Sequence, residues 1–202
     1  MKVYPPHRNG GIMDTSIYLI RHGQSPKTEG NERSRGLTEK GLADAQRIAE
    51  HLSNEGIDTF YTSPYHRASL TLEPLAQLCG KTITPVEDLK ETVFVGGDVI
   101  MQDDTLIPTV SRMFREPDFA LAGGESLTAA KDRVMAAFNT ILEAHPGQKV
   151  GIGTHGMVMT LILGHYDSRY DFDFLMKTSK PDVYRMTFRE NRFLESARLW
   201  LS

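Results

Sequence analysis

Two histidine–glycine pairs follow apolar runs in this chain, and the residues around them are those a phosphoryl group would need. The stretch "IYLIRHGQSP" sets Arg21, His22 and Gly23 directly after an apolar run, and "VGIGTHG" repeats the pattern with His155 and Gly156. A third run, "DTFYTS", leads through a proline to Arg67 in "PYHRASLT". Either histidine alone reads equally well as a structural residue satisfied at a turn. Taken together they fit phosphoryl transfer through histidine. A neutral imidazole can attack phosphorus and split one hard displacement into two easier ones. The transferred group carries its charge on its outer oxygens, and the planar, permanently charged forks of Arg21 and Arg67 match such oxygens. Glycine after each histidine lets backbone come close. The leaving alkoxide needs a proton, so a carboxylic acid should stand nearby.

Such residues must be held by a rigid frame, and the apolar spacing supplies one. Residues 16–21 read as a short buried strand, 58–63 as a second, "KTITPVEDL" as a third and "QKVGIGTHG" as a fourth. Between them, a helix is expected from N-cap Thr38 to residue 54, with Leu42, Ala45, Ile48, Ala49 and Leu52 on one face and Gly56 beyond its end. "PYHRASLTLEPLAQLCG" reads as a helix kinked or split by Pro74. Residues 90–124 are the least regular. A long amphipathic helix over 126–144 and another from Met157 follow, and "DVYRMTFRE" and "RFLESARLW" are suited to pair around Glu190 and Asn191. Alternating strands and helices predict an α/β fold, a three-layer α/β/α sandwich with a largely parallel central sheet. In such sheets ligands collect beyond the carboxyl ends of the strands, where both histidines fall. Residues 1–15 read as a flexible N-terminal arm, with Met13 as an alternative start, and 16–202 as a single domain.

Bulk properties narrow the function classes. Of 202 residues, 40% are hydrophobic and 24% charged, which is globular composition. A net charge of −3 gives no general footprint for nucleic acid. Cys79 is the single cysteine, so an intramolecular disulfide is excluded, a thiolate zinc site is not expected, and a reducing cytoplasmic setting fits. The longest apolar run, 150–164, is short for a membrane span and contains His155. Neither a GxxxxGK[ST] nor an HExxH motif occurs, so neither a P-loop nor a metal site is expected.

The blocks "YLIRHGQS", "GLTEKGLADAQRIAEHL", "YTSPYHRASLT", "LKE", "GGESLTAAKDRV" and "GIGTHGMVM" are in the order of a known family. The chain resembles the histidine phosphatase superfamily, specifically its phosphoglycerate-mutase-like branch, over residues 16–165. The resemblance implies that His22 is the phosphorylated nucleophile, that Arg21 and Arg67 bind phosphoryl oxygens, and that His155 completes the cage. It places the proton donor at Glu91, with Glu87 and Asp88 as rivals, and leaves Glu125 as a helix-terminal carboxylate. Where the family commonly has a phosphate-binding Asn this chain has Thr28, whose hydroxyl could donate in its place, and Gln24 and Ser25 are candidate secondary contacts. No cofactor or metal is implied.

The expected activity is metal-independent hydrolysis of a small organic phosphate ester. Two alternatives stand beside it: a phosphoglycerate mutase, and a non-catalytic protein that binds phospholigands. The resemblance implies that mutases carry a longer, basic, aromatic segment after the Arg-His-Gly block; here only residues 26–36 intervene, which favours hydrolysis. The segment 93–122 reads as a lid-like insertion. Phe94, Ile100, Met101, Met113, Phe114 and Phe119 could form an apolar wall there, or simply pack the lid on its own domain. Arg112 and Arg115 are candidates for a second anionic group. Homo-oligomer formation is left open.

Overall fold

In strand β1 (Thr15–Arg21), side chains alternate between the two faces of the sheet, and Ile17, Tyr18, Leu19 and Ile20 are all fully buried. Both faces of this strand must therefore be covered. In the computed structural model, which describes residues 13–200, they are. Ile17 and Leu19 pack against helix α4 (Leu127–Ala144) and helix α5 (Gly156–Tyr166), while Tyr18 and Ile20 pack against helix α1 (Glu39–Leu52) and helix α2 (His66–Leu78). The result is the expected α/β arrangement, a sheet between two helical layers.

Strands β2 (Thr59–Thr62), β3 (Ile83–Pro85) and β4 (Lys149–Thr154) join β1 in parallel. Strands β5 (Asp182–Arg189) and β6 (Arg192–Arg198) add two antiparallel members, giving the order β3-β2-β4-β1-β5-β6. The sheet is thus mixed, its parallel part on one side of β1. The hairpin turns at Glu190 and Asn191, both with positive φ (49° and 62°), as a tight turn matching the strand twist requires. Register places the ends of β1 and β4 side by side, Arg21 opposite Thr154, so both histidines leave the sheet together.

Several local expectations are corrected. Pro74 does not split α2, because Leu72, Leu75 and Ala76 on the same face are buried in the core and hold the helix through the missing hydrogen bond. Within the irregular region lies helix α3 (Asp103–Arg115), which accommodates Pro108. Its Val110 and Met113 are buried, its acidic first turn and basic last turn suit the macrodipole, and it packs near α5 and a short helix α6 (Phe172–Lys177). Of the expected arm, residues 1–12 lie outside the described residues. Thr15 belongs to β1, and Asp14 pairs with Arg189 at 2.8 Å.

Thr38 caps α1 as expected, its hydroxyl accepting from Gly41 N–H at 3.1 Å. Gly23 and Gly41 are backed against each other. A Cβ on Gly41 would lie 2.2 Å from the Gln24 carbonyl oxygen, and one on Gly23 would lie 2.9 Å from the Gly41 oxygen. Replacing a helical Gly by Ala ordinarily stabilises by up to about 1 kcal/mol. Here Gly41→Ala should have the opposite sign, destabilising by about 1–3 kcal/mol through overpacking against backbone. Urea unfolding of the two proteins checks the sign.

Candidate functional site

Beyond the end of β1, the His22 ring is fixed by its own neighbour. Nδ1 lies 2.7 Å from the Gly23 carbonyl oxygen, which can only accept, so Nδ1 carries the proton. Nε2 is therefore the nitrogen with the lone pair, and it faces Arg67 Nε at 3.2 Å. The loop behind it is pinned to α2, since Gly23 N–H donates to Thr71 Oγ1 (3.0 Å), which in turn donates to the Arg67 carbonyl (2.8 Å). Burial, then the charges of Arg67 and Arg21 and the neighbouring His155, hold the His22 imidazole well below its ordinary range. It is a neutral base pointed at a cluster of cations.

Arg67, only 1% exposed, comes from the first turn of α2 and lies over the Tyr65 ring at 5.0 Å. Burial, and then Arg35, bring its guanidinium down to about 10. Glu32 holds its fork: Arg67 Nη2 donates to Oε2 at 2.8 Å and Nη1 donates to the Glu32 carbonyl. Arg35 shares the same carboxylate at 3.0 Å and also donates to Ser25 Oγ at 2.8 Å.

Arg21 is buried between Thr178, which takes its Nη1, and Gly156, where a Cβ would come within 2.8 Å of Nη2. A side chain at position 156 would thus crowd the guanidinium of the first block, which would have to shift. His155 is fully buried, 5.3 Å from His22 between ring centroids, with Nε2 2.6 Å from Ser63 Oγ. Burial, followed by Arg67, Arg35 and Arg21, holds it neutral as well. Three buried nitrogens have no partner among the described residues: Arg21 Nε, Arg35 Nε and His155 Nδ1. Unpaired buried polar atoms are costly, and a ligand's oxygens could accept from the two arginine N–H groups.

Across the cavity, Glu91 accepts from Thr92 N–H at 2.9 Å and from Met157 N–H, at the start of α5, at 3.2 Å. Burial pushes its carboxyl up, against the opposing pull of these N–H groups, Arg67 and Arg21. Its flanks are clamped from α4. Arg133 donates to the carbonyls of Asp88 (2.6 Å) and Lys90 (3.1 Å) and forms two bonds to Glu125 (2.6 and 2.7 Å), whose carboxylate also accepts from Val93 N–H at 2.9 Å. The cavity in front of His22 measures about 300 Å³. Its outer wall, including Phe94, Val99, Met101, Leu106 and Val110, comes from the segment 93–122. Lys27 ties that wall to the loop after β1, donating to Met101 O (2.9 Å) and Asp103 Oδ1 (2.7 Å).

Arg21, His22, Arg67, His155 and Glu91 are therefore brought together, as the motif order suggested. Gln24 and Thr28 are not: both are exposed and outside the cavity lining. The Gln24 side chain accepts from Thr38 instead (2.9 Å), whereas Ser25, the other candidate on this loop, does line the cavity, with Lys27 and Arg35 beside it. Glu87 is turned away onto Arg33 at 2.7 Å, which with its hydrogen bond takes its carboxyl to about 2, and Asp88 is exposed. Of the six expected wall residues only Phe94 and Met101 line the cavity, while Met113 and Phe114 pack beneath it. Arg112 lies over Phe119 and pairs with Glu116, and neither it nor Arg115 reaches the site. Glu125 is the lid-side half of a clamp. Ser63 stands at the end of β2, where the sequence places it; Glu32, Thr71 and Arg133 are additional contributors, of which Thr71 carries a local signal, one helical turn after Arg67 on the same face, and the other two none.

Two histidines kept neutral by the fold take up protons near pH 6.5 once unfolded. Below that value the unfolded state binds more protons, so stability is present above it and is lost as pH falls. The pair should contribute a slope of up to about 2.7 kcal/mol per pH unit. His22→Gln should reduce the slope by about half, which urea denaturation at pH 5.5 and 7.5 measures.

Comparison with known proteins agrees with this geometry. A family model described as histidine phosphatase superfamily (branch 1) matches residues 17–196. "Probable phosphoglycerate mutase GpmB" of Cronobacter sakazakii is 30% identical over 153 residues, 71% of this chain and 70% of that protein. Among solved structures, Bacillus stearothermophilus YhfR superposes with TM-score 0.74 at 25% identity, over 89% of this chain and 94% of its own. Mycobacterial glucosyl-3-phosphoglycerate phosphatase shares the fold with TM-score 0.70 at 18% identity, over 86% and 90% of the two chains. With arginines, histidines and carboxyl group assembled as described and nine-tenths of its length matched, the chain belongs to the histidine phosphatase superfamily, branch 1.

Proposed function

We propose that this protein is a phosphomonoesterase working through a phosphohistidine at His22, with no metal required. The observation that carries this reading is the fixed Nδ1–H tautomer of His22, which leaves Nε2 free and surrounded by donors. Nε2 attacks phosphorus and the P–O bond to the alcohol breaks. Arg21, Arg67 and His155 Nδ1 offer hydrogen bonds to the phosphoryl oxygens as charge builds there. Glu91, whose carboxyl is pushed up by burial, gives a proton to the departing alkoxide. The resulting carboxylate then takes a proton from water, the water oxygen attacks phosphorus, and the N–P bond breaks to release phosphate and restore His22.

The 93–122 segment acts in this reading as the lid of one domain spanning 16–202, with a small phosphate ester as substrate. A mutase is the second reading, favoured by the names of the curated relatives. The short 26–36 connection supports hydrolysis, because a mutase must keep water out while the phosphoryl group is returned. Retention of nucleophile and acid together supports an enzyme over a phospholigand-binding protein.

Phosphate release from p-nitrophenyl phosphate in EDTA should be robust in the wild type and abolished in His22→Ala; unchanged activity in that variant overturns the mechanism. With 3-phosphoglycerate, inorganic phosphate should accumulate faster than the 2-isomer, and the reverse makes the protein a mutase. Glu91→Gln should lower kcat by about 100-fold for alkyl phosphates, within the range of general acid catalysis, and much less for nitrophenyl phosphate, whose leaving group needs no proton. Equal losses would remove Glu91 from the acid role.

A further inference from the structure

One wall residue of the cavity carries a polar atom that the mechanism above does not use. Tyr65 lines the cavity immediately before helix α2 and is 3% exposed. Its ring is held on several sides. The guanidinium groups of Arg67 and Arg33 lie over it at 5.0 and 5.5 Å, and the His155 ring meets it at 68°, with the centroids 5.2 Å apart. Its backbone N–H donates to Ser63 Oγ at 3.2 Å, the same oxygen that lies 2.6 Å from His155 Nε2. Ring and backbone are therefore fixed by the residues of the phosphoryl cage, and neither depends on the phenolic hydroxyl.

That hydroxyl makes no hydrogen bond to any described residue, and it is not fully enclosed, so part of the small exposed remainder of Tyr65 lies there. The charges that act on it agree with a position in the cavity. After burial, Asp98 and Glu91 come first, ahead of Arg67 and Glu32, and all four stand in the cavity wall. Burial and the nearby carboxylates push the phenol up to about 12, so it keeps its proton at neutral pH and can donate. The neighbouring acceptors are already engaged. The two Glu91 oxygens accept from Thr92 and Met157 N–H, Glu32 holds Arg35 and Arg67, and Asp98 faces Arg33 at 3.9 Å. An acceptor for Tyr65 must come with the ligand.

We propose that Tyr65 is a further catalytic residue, its hydroxyl donating a hydrogen bond to the oxygen that links phosphorus to the alcohol. The inference rests on the phosphomonoesterase reading. In-line attack by His22 turns that oxygen away from the imidazole and toward Glu91, the side from which the strongest charges reach the phenol. The linking oxygen has lone pairs enough for both partners: it takes the proton of Glu91 and accepts from Tyr65, which keeps its own proton throughout. As the P–O bond breaks, electron density moves onto this oxygen. The hydrogen bond therefore strengthens toward the transition state, and most for the most basic alkoxides.

Tyr65→Phe deletes the hydroxyl and leaves the ring against Arg67 and His155. From p-nitrophenyl phosphate through phenyl phosphate to glycerol 3-phosphate, the loss in kcat should grow from at most about twofold to about tenfold, the scale of one hydrogen bond, with KM little changed. A packing defect would instead lower all three equally. Equal losses, or full activity on every ester, overturn the proposal. If the wild type turns over none of them, the phosphomonoesterase reading fails, and binding decides the role of Tyr65 separately. On His22→Ala, calorimetry compares phenyl phosphate with benzylphosphonate, in which a methylene replaces the linking oxygen, at a pH where both are dianions. Adding Tyr65→Phe should shrink the preference for phenyl phosphate by about three- to tenfold; an unchanged preference, or none to begin with, overturns the proposal.

Discussion

The contact between His22 Nδ1 and the Gly23 carbonyl decides which nitrogen of the ring is free, and much of the surrounding structure serves to hold that contact in place. The carbonyl belongs to a residue whose N–H is bound by Thr71 on α2 and whose Cα abuts Gly41 on α1. Two helices on the same face of the sheet therefore grip one peptide. Because both helices rest on Tyr18 and Ile20 of β1, the strand that delivers the histidine is also the floor on which its restraints stand. Rotating the ring would break the Nδ1 bond and turn a protonated nitrogen toward Arg67, so the tautomer and the position of the cation enforce each other.

The electrostatic design follows from burial. Three arginines crowd two neutral imidazoles in space largely closed to water. Such crowding is unfavourable without counter-charge, and among the described residues Glu32 supplies it directly to Arg35 and Arg67. Donors held in place before the substrate arrives need no rearrangement when negative charge develops, which is where preorganised sites gain over water. The same burial acts in opposite directions on the two kinds of titratable group: it lowers the affinity of the His22 imidazole for a proton and raises that of the Glu91 carboxyl. One physical cause thus moves imidazole and carboxyl apart, aided by the cations beside the imidazole.

How much of this was legible in the sequence depended on whether the signal was local. The ends of β1 and β4 could be read because apolar runs meet Arg-His-Gly and Thr-His-Gly, and the start of α1 because Thr38 is a good cap. Glu91 was indicated by motif order, while its choice over Glu87 rests on Arg33 reaching across from another loop. Helix α3 was obscured by Pro108 and the neighbouring glycines; its existence depends on burial of Val110 and Met113 over α5 and α6, a long-range contact. Thr28 was expected at the phosphate because it stands where the family commonly has Asn, and Gln24 and Ser25 because they follow His22 closely in the chain. The loop instead turns outward at Gln24 and Thr28, and Ser25 and Lys27 point inward. A carboxylate such as Glu32 is not sought in an anion site by composition alone, since its use is to orient guanidinium groups.

The two borders of the sheet carry a consequence of their own. At one, β3 is three residues long and ends in Pro85, which has no N–H to offer a neighbour. At the other, β6 presents Arg192, Glu195 and Arg198, and the hairpin it shares with β5 contains an irregularity at Thr187 and Phe188. Short, charged or irregular borders resist strand addition. Both borders are thus poor templates for a further strand, while the carboxyl ends of the parallel strands, where the cavity opens, lie away from either border.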